Sequence, residues 1–317
     1  MKAMKEKKFE FSPSMHLAFR DKKVLARVRN IKRADITKHP NPDFKIRVLK
    51  DNEFDFNVIM DIFYRIKTAA DKNEKIVFIF SQPEPIYKYV ADLLNKFQVN
   101  CKNLHTFNMD EWADEDGNIA PESYGPGFMH AMKQNFYFRL DKKLRPKEQQ
   151  IHGPNNKNFK DYGKMLTDLG GADVCYSGPG WTGHLAFVDP DAPEFAADSL
   201  EEWKQMGPKI VTLNVISIAQ NSLHGTFGQS GDMANVPPRA ATIGPAQVLE
   251  AKHRLDMNNL QTSGTFVSWQ RLVTRLVAHG PVTPLVPTSV LQTVPTDFWI
   301  SETVAADITP NFTDIYY

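Results

Sequence analysis

Short apolar runs alternate with segments of helical spacing along most of this 317-residue chain, and that alternation limits the folds open to it. "KIVFIF" (75–80) is almost wholly apolar and short enough for a strand buried on both faces. "EPIYKYVADLLNKF" (84–97) follows as an amphipathic helix, and "NLHTFNMDEW" (103–112) reads as a strand that ends in acids. Upstream, "KIRVLKD" (45–51) reads as a strand. "FDFNVIMDIFYRIKTAADK" (54–72) puts Phe56, Ile59, Met60, Phe63 and Ile66 on one helical face. Downstream, helices are expected at 121–140, 158–170 and 266–280, and strands at 172–176, 209–216, 240–245 and 297–301. Such alternation predicts a parallel or mostly parallel sheet covered by helices, with ligands at the carboxyl ends of its strands.

Length suits one large α/β domain or two small ones, and a 42% hydrophobic share is enough for a full core. Residues 1–44 are charged with little periodicity and end in the turn-rich "KHPNPDF" (38–44). They are read as an N-terminal extension to a single domain over 45–317. The 38 basic side chains are balanced by 37 acidic ones, leaving no bulk charge to draw nucleic acid or a membrane surface. No apolar run approaches the roughly 20 residues of a bilayer span, and the basic N-terminus has no apolar core of a signal peptide. Cys101 and Cys175 are too few for a disulfide framework and read as reduced, buried thiols. These points lead to the expectation of a soluble, cytoplasmic protein.

Three polar clusters fall at expected strand ends: "SQPEP" (81–85), "MDEW" (109–112) and "GPGWTGH" (178–184). Asp110 and Glu111 directly follow an apolar run, where a shielded carboxylate can act as a general base or simply cap a helix. His184 lies in a loop rich in Gly and Pro, where it can serve as acid or base or be held structurally. Asp189 can orient that imidazole or begin the turn "DPDAP" (189–193). The histidines show no metal-ligand spacing. No P-loop, no G-x-S-x-G elbow and no dinucleotide fingerprint are present.

Together and in order, these stretches resemble the glucosamine-6-phosphate deaminase/isomerase family, which shares its fold with the 6-phosphogluconolactonases. "TFNMDEW" followed by "PESYGPGFMHAMKQNFY" is similar to that family's T-F-N-M-D-E-Y and P-E-S-Y…F-M…N-F-F. "GPGWTGHLAFVDP" (178–190) is similar to G-x-G-x-D-G-H-I-A-F-N-E-P. "VPPRAATIGPAQVLEA" (236–251) and "TSVLQTVPTDFWISETVAADI" (288–308) resemble its later segments, so the likeness covers roughly 45–308. It implies a Rossmann-like, doubly wound α/β fold with a mostly parallel sheet and helices on both faces. It also implies a sugar or sugar phosphate as small-molecule partner and no metal or organic cofactor, and it admits a homo-oligomer. The implied reaction is aldose–ketose isomerisation with loss of ammonia. Asp110 would shuttle the proton and His184 would assist ring opening. Asp189 stands where the family has a Glu that supports that histidine. Ser81, Gln82, Glu84, Glu111, Gly180, Trp181, Thr182 and Gly183 would contact substrate.

The departures from the family are specific. Thr182 replaces an Asp that helps manage the histidine, and a hydroxyl cannot hold charge. Asp189 is one methylene shorter than Glu and is expected to fall short of the ring. The family's phosphate-holding Gly-Gly-Thr becomes Gln82, Pro83 and Glu84. Proline removes a donor. Like charges about 4 Å apart repel by roughly 4 kcal/mol at an effective dielectric near 20. A family Arg aligns with Leu223, beside His224, and a C-terminal His is lost in "QTVP" (292–295). The reading is therefore an amino-sugar or sugar-phosphate enzyme with an altered phosphate site. The alternatives are a non-catalytic sugar-binding or regulatory relative and a lactonase-like hydrolase.

Overall fold

A computed structural model of the chain describes residues 9–81, 85–260 and 268–310. Its strands are, in chain order, β1 (Phe44–Leu49), β2 (Ile76–Phe80), β3 (Leu104–Asn108), β4 (Asp110–Ala113), β5 (Ile151–His152), β6 (Val174–Ser177), β7 (Lys209–Thr212), β8 (Arg239–Thr242), β9 (His253–Asn258) and β10 (Thr296–Ser301). Seven of them form one sheet in the order β1-β10-β9-β6-β2-β3-β5, and every neighbouring pair in it is parallel. The apolar runs fill both sides of this sheet. Val77 and Ile79 of β2 face one core and Phe78 and Phe80 the other. Cys175 and Tyr176 of β6 divide in the same way. Helices Asp51–Asp71 and Tyr87–Lys96 cover the second face, while Lys22–Arg29, Tyr162–Asp168 and Arg271–His279 cover the first. The Rossmann-like, doubly wound α/β architecture is thus present. Among the described residues no helix is long and apolar enough to cross a membrane.

From β2 the chain winds outward through β3 to β5, then returns to the other side of β2 as β6. The strand order reverses between β2 and β6, so the loops after these two strands diverge and leave a crevice.

A second sheet, antiparallel and ordered β4-β8-β7, departs from the sequence expectation. The run 103–112, expected as one strand, breaks at Met109. The Met109 N–H donates to Phe80 O at 2.8 Å within the first sheet, and its carbonyl accepts from Ile243 N at 3.0 Å. Asp110 then pairs with Thr242 in the second sheet. Burial is continuous across the break, since Asn108, Asp110 and Glu111 beside it are all buried, so exposure does not mark it.

Two further boundaries differ. The stretch 209–216 is strand only to Thr212. Asn214 accepts from Ile216 N at 2.9 Å and starts the helix Val215–Asn221. The helix expected over 121–140 begins at Phe128, after Gly125–Gly127. In the first long helix the buried face is Phe54, Val58, Ile59, Ile62, Phe63 and Ile66, and Phe56 is exposed.

Within 1–44, Val28 and Ile36 are fully buried in the core. Arg275 donates to Ile31 O at 3.0 Å.

Candidate active site

The crevice at the switch point opens into a cavity of about 560 Å³. Ser81 after β2, Met109 and Asp110 after β3, Gly178 and Pro179 after β6, and Met257, Asn259 and Leu260 at and beyond the end of β9 all line it. His184, Gln220, His224 and Phe128 complete much of the wall. The three polar clusters singled out in the sequence therefore converge on one space. Among the described residues its lining includes Asp110, His184 and His224 but no Lys or Arg.

His184 is held from behind. Its backbone carbonyl accepts from the Thr288 hydroxyl, and Gly183 O accepts from Thr288 N at 3.0 Å, so the segment after Pro287 clamps the loop. Gly183 takes φ +80°, a conformation glycine adopts without strain. Asp189 Oδ1 lies 3.4 Å from His184 Nδ1, and both side chains are buried. The shorter carboxylate thus comes within ion-pair range of the ring, contrary to the expectation that it falls short. Between the two residues Leu185–Val188 folds into a tight turn with paired amides, which brings the chain back past the ring.

Asp189 also accepts the Thr182 hydroxyl at 2.9 Å, the Ser217 hydroxyl at 2.6 Å and the Asn214 N–H at 2.9 Å. Burial pushes this carboxyl up, but His184, Ser217 and Asn214 together outweigh burial and hold it below the ordinary carboxylate range. Thr182 therefore does not leave the histidine without support. Its hydroxyl buttresses Asp189, the carboxylate beside Nδ1.

Asp110 is buried where the two sheets meet. Its Oδ1 accepts from Phe187 N at 3.3 Å. Burial raises its carboxyl to about 7, against the Thr242 side chain, His184 and the Phe187 amide, which all favour the ionised form. A buried carboxylate titrating near neutrality suits a general base. Burial likewise raises Glu111 to about 7. Its oxygens accept from Trp112 N (3.0 Å), Phe128 N (2.9 Å) and Met129 N (2.8 Å), so it anchors the start of the helix Phe128–Met132. Expected at the substrate, Glu111 does not line the cavity, because its carboxylate is occupied by backbone donors.

The remaining candidates divide. Ser81 lines the cavity, and Gln82 and Glu84 lie outside the described residues. Thr182 and Gly183 sit behind the ring rather than on the wall. Gly180 lies against it: a Cβ there would come 2.5 Å from His184 Cε1 and 2.3 Å from Gln220 Oε1. Trp181 stacks on Trp269, with centroids 4.4 Å apart and planes at 11°, and donates its N–H to Gln220 Oε1 at 2.7 Å. The basic trio at 252–254 is occupied elsewhere. Lys252 pairs with Asp173 and His253 with Asp297, while the Arg254 guanidinium holds the carbonyls of Pro295, Leu249 and Ala251.

Sequence reasoning missed Ser217, Asn214, Gln220 and Thr242. The first three come from the stretch around 214–220 that was read partly as strand. Its one usable signal was the N-cap pattern of Asn214. Among the described residues, no group of three His, Cys, Asp or Glu side chains could hold a metal ion.

Comparison with known proteins points one way in sequence and broadens in structure. No protein-family model matches the chain. A glucosamine-6-phosphate deaminase of Lachnoclostridium phytofermentans is 24% identical over 221 residues, covering 68% of this chain and 80% of the relative. The same-named protein of Staphylococcus aureus is 33% identical over 175 residues, covering 53% of this chain and 60% of the relative. Among solved structures, a monomeric glucosamine-6-phosphate deaminase superposes with a TM-score of 0.65 at 19% identity, over 83% of this chain and 99% of the other. A 6-phosphogluconolactonase from Leishmania guyanensis gives a TM-score of 0.56 at 12% identity, over 84% and 99%. These structural likenesses establish the shared fold.

Proposed function

From the premise that this chain is a divergent relative of the glucosamine-6-phosphate deaminase/isomerase family, we propose that it is an enzyme that isomerises an amino sugar and releases ammonia. The observation that carries this reading is the pairing of Asp110 and His184 on one cavity, with Asp110 raised to about 7. In the proposed sequence, His184 takes the anomeric hydroxyl proton and returns a proton to the ring oxygen as the C1–O bond of the ring breaks. Asp110 removes the C2 proton of the open aldehyde as the aldehyde oxygen takes a proton from the C2 ammonium group, and Asp110 then delivers the C2 proton to C1 of the resulting enolamine. Water adds to the resulting C2 iminium and ammonia leaves. Burial of Asp110 makes its carboxylate a stronger base than an exposed aspartate at the same pH.

We further propose that the preferred ring carries no phosphate. A dianionic phosphate in a partly desolvated pocket needs a cation or a nest of N–H donors. Among the described residues the cavity lining has no Lys or Arg, and the family's Gly-Gly-Thr phosphate turn is matched in sequence by Gln82, Pro83 and Glu84. The lactonase reading rests on fold alone and has no feature of the site in its favour.

Ammonia release from glucosamine and from glucosamine-6-phosphate, with Asp110→Asn as control, tests both statements. Release from glucosamine that vanishes in Asp110→Asn is the expected result. Release only from the phosphorylated sugar would overturn the phosphate argument. No release from either would remove the catalytic reading.

A further inference from the structure

Ser217 stands between the imidazole and the carboxylate that would orient it. Its Oγ lies 2.6 Å from Asp189 Oδ1 and 3.3 Å from His184 Nδ1, and it is fully buried. A serine hydroxyl has one hydrogen to give and lone pairs to accept with. An ionised carboxylate only accepts, so the hydrogen goes to Asp189, and the short distance fits a charge-assisted bond. Thr182 gives its hydroxyl to the same Asp189 oxygen at 2.9 Å. What faces His184 Nδ1 is then a pair of acceptors: the Ser217 lone pair at 3.3 Å and Asp189 Oδ1 at 3.4 Å. An unprotonated Nδ1 there would set lone pair against lone pair among buried side chains.

We infer that Ser217 is a positioning residue that fixes His184 as the Nδ1–H tautomer and leaves Nε2 as the free base on the open edge of the ring. That edge is kept clear by Gly180, where a Cβ would stand only 2.6 Å from Nε2. The consequence for chemistry rests on the proposal that His184 opens the sugar ring, since only an unprotonated Nε2 can take the anomeric proton. The arrangement also gives Thr182 a physical role. A second carboxylate at position 182 would face Asp189 at hydrogen-bond distance, whereas the Thr182 hydroxyl donates to it and frees the Ser217 lone pair for the ring.

Long-range proton–nitrogen NMR on the full chain with 15N-histidine tests this without any substrate. His184 is identified among the nine histidines by His184→Asn. At a pH where the ring is neutral, the wild-type spectrum should show Nδ1 protonated and Nε2 bare. Ser217→Ala should weaken that preference about tenfold, the scale of one net hydrogen bond. It should lower kcat with little change in KM. An Nε2–H tautomer in the wild type would overturn the inference, and so would an unchanged tautomer in a folded Ser217→Ala. If Ser217→Ala fails to fold, the wild-type spectrum and Asp189→Asn decide, the latter expected to lose the single tautomer. A correct tautomer in a protein that converts no sugar would refute the catalytic reading and leave this inference standing.

Discussion

Asp110 carries opposite demands at the scale of one side chain. Its raised pKa means the folded state binds a proton more tightly than the unfolded chain between the ordinary carboxylate value of 3.8 and about 7. Stability conferred by that proton is complete below the unfolded value and lost as pH rises through about 7. Asp110→Asn should therefore raise the thermal midpoint above neutrality while removing turnover by a factor of about 10²–10⁴. A midpoint that is unchanged at alkaline pH would contradict the burial argument. In the wild type, kcat/KM should climb with pH to a plateau with an acid limb near 7, read from an initial-rate profile. Gly180 makes a second residue-scale point. Gly180→Ala would drive a methyl into His184 and Gln220, and overpacking of this kind costs about 1–3 kcal/mol. Turnover should fall more than the melting temperature implies, because the atom that must yield is on the His184 ring.

Single elements explain why some of these residues were visible beforehand and others were not. Asp110 and His184 were legible because each follows a recognisable apolar strand in a Gly- or acid-marked loop. Glu111 was legible as a candidate but its task was not. Adjacency to Asp110 suggested substrate, whereas the helix Phe128–Met132 returns to take its oxygens. Glu111→Ala would leave three buried N–H groups without an acceptor, at about 1–3 kcal/mol each. A loss of several degrees in melting temperature is the expected readout, with Glu111→Gln much milder because the carboxyl is already raised to about 7. The helix Val215–Asn221 hid Ser217 because Leu213, Val215 and Ile216 extend the apolar pattern of β7 past its end at Thr212, with Asn214 the one mark of the helix start.

For the molecule as a whole, the two cores meet through the parallel sheet, and the N-terminal segment belongs to one of them. Val28 and Ile36 are fully buried, and Arg27 donates to His279 O at 2.7 Å. Arg275 ties this segment to the C-terminal end by donating to the carbonyls of Ile31, Val304, Ala305 and Ala306. Removing residues 1–44 should lower the thermal midpoint sharply or yield insoluble protein, read by differential scanning calorimetry beside the full chain. Equal melting for the 1–44 truncation and the full chain would show the segment to be a true appendage.

Periodicity in the sequence determined the class of fold, since short apolar runs alternating with amphipathic helices bury their backbone and side chains together in a helix-covered parallel sheet. It also marked which loops line the cavity, because strand ends are where a doubly wound sheet opens. Three things were settled only by tertiary structure: the break at Met109, the work of Glu111, and the network of Thr182, Ser217 and Asp189 behind His184. Each depends on hydrogen-bond partners separated along the chain, and local pattern holds no record of the distance or direction on which such bonds depend.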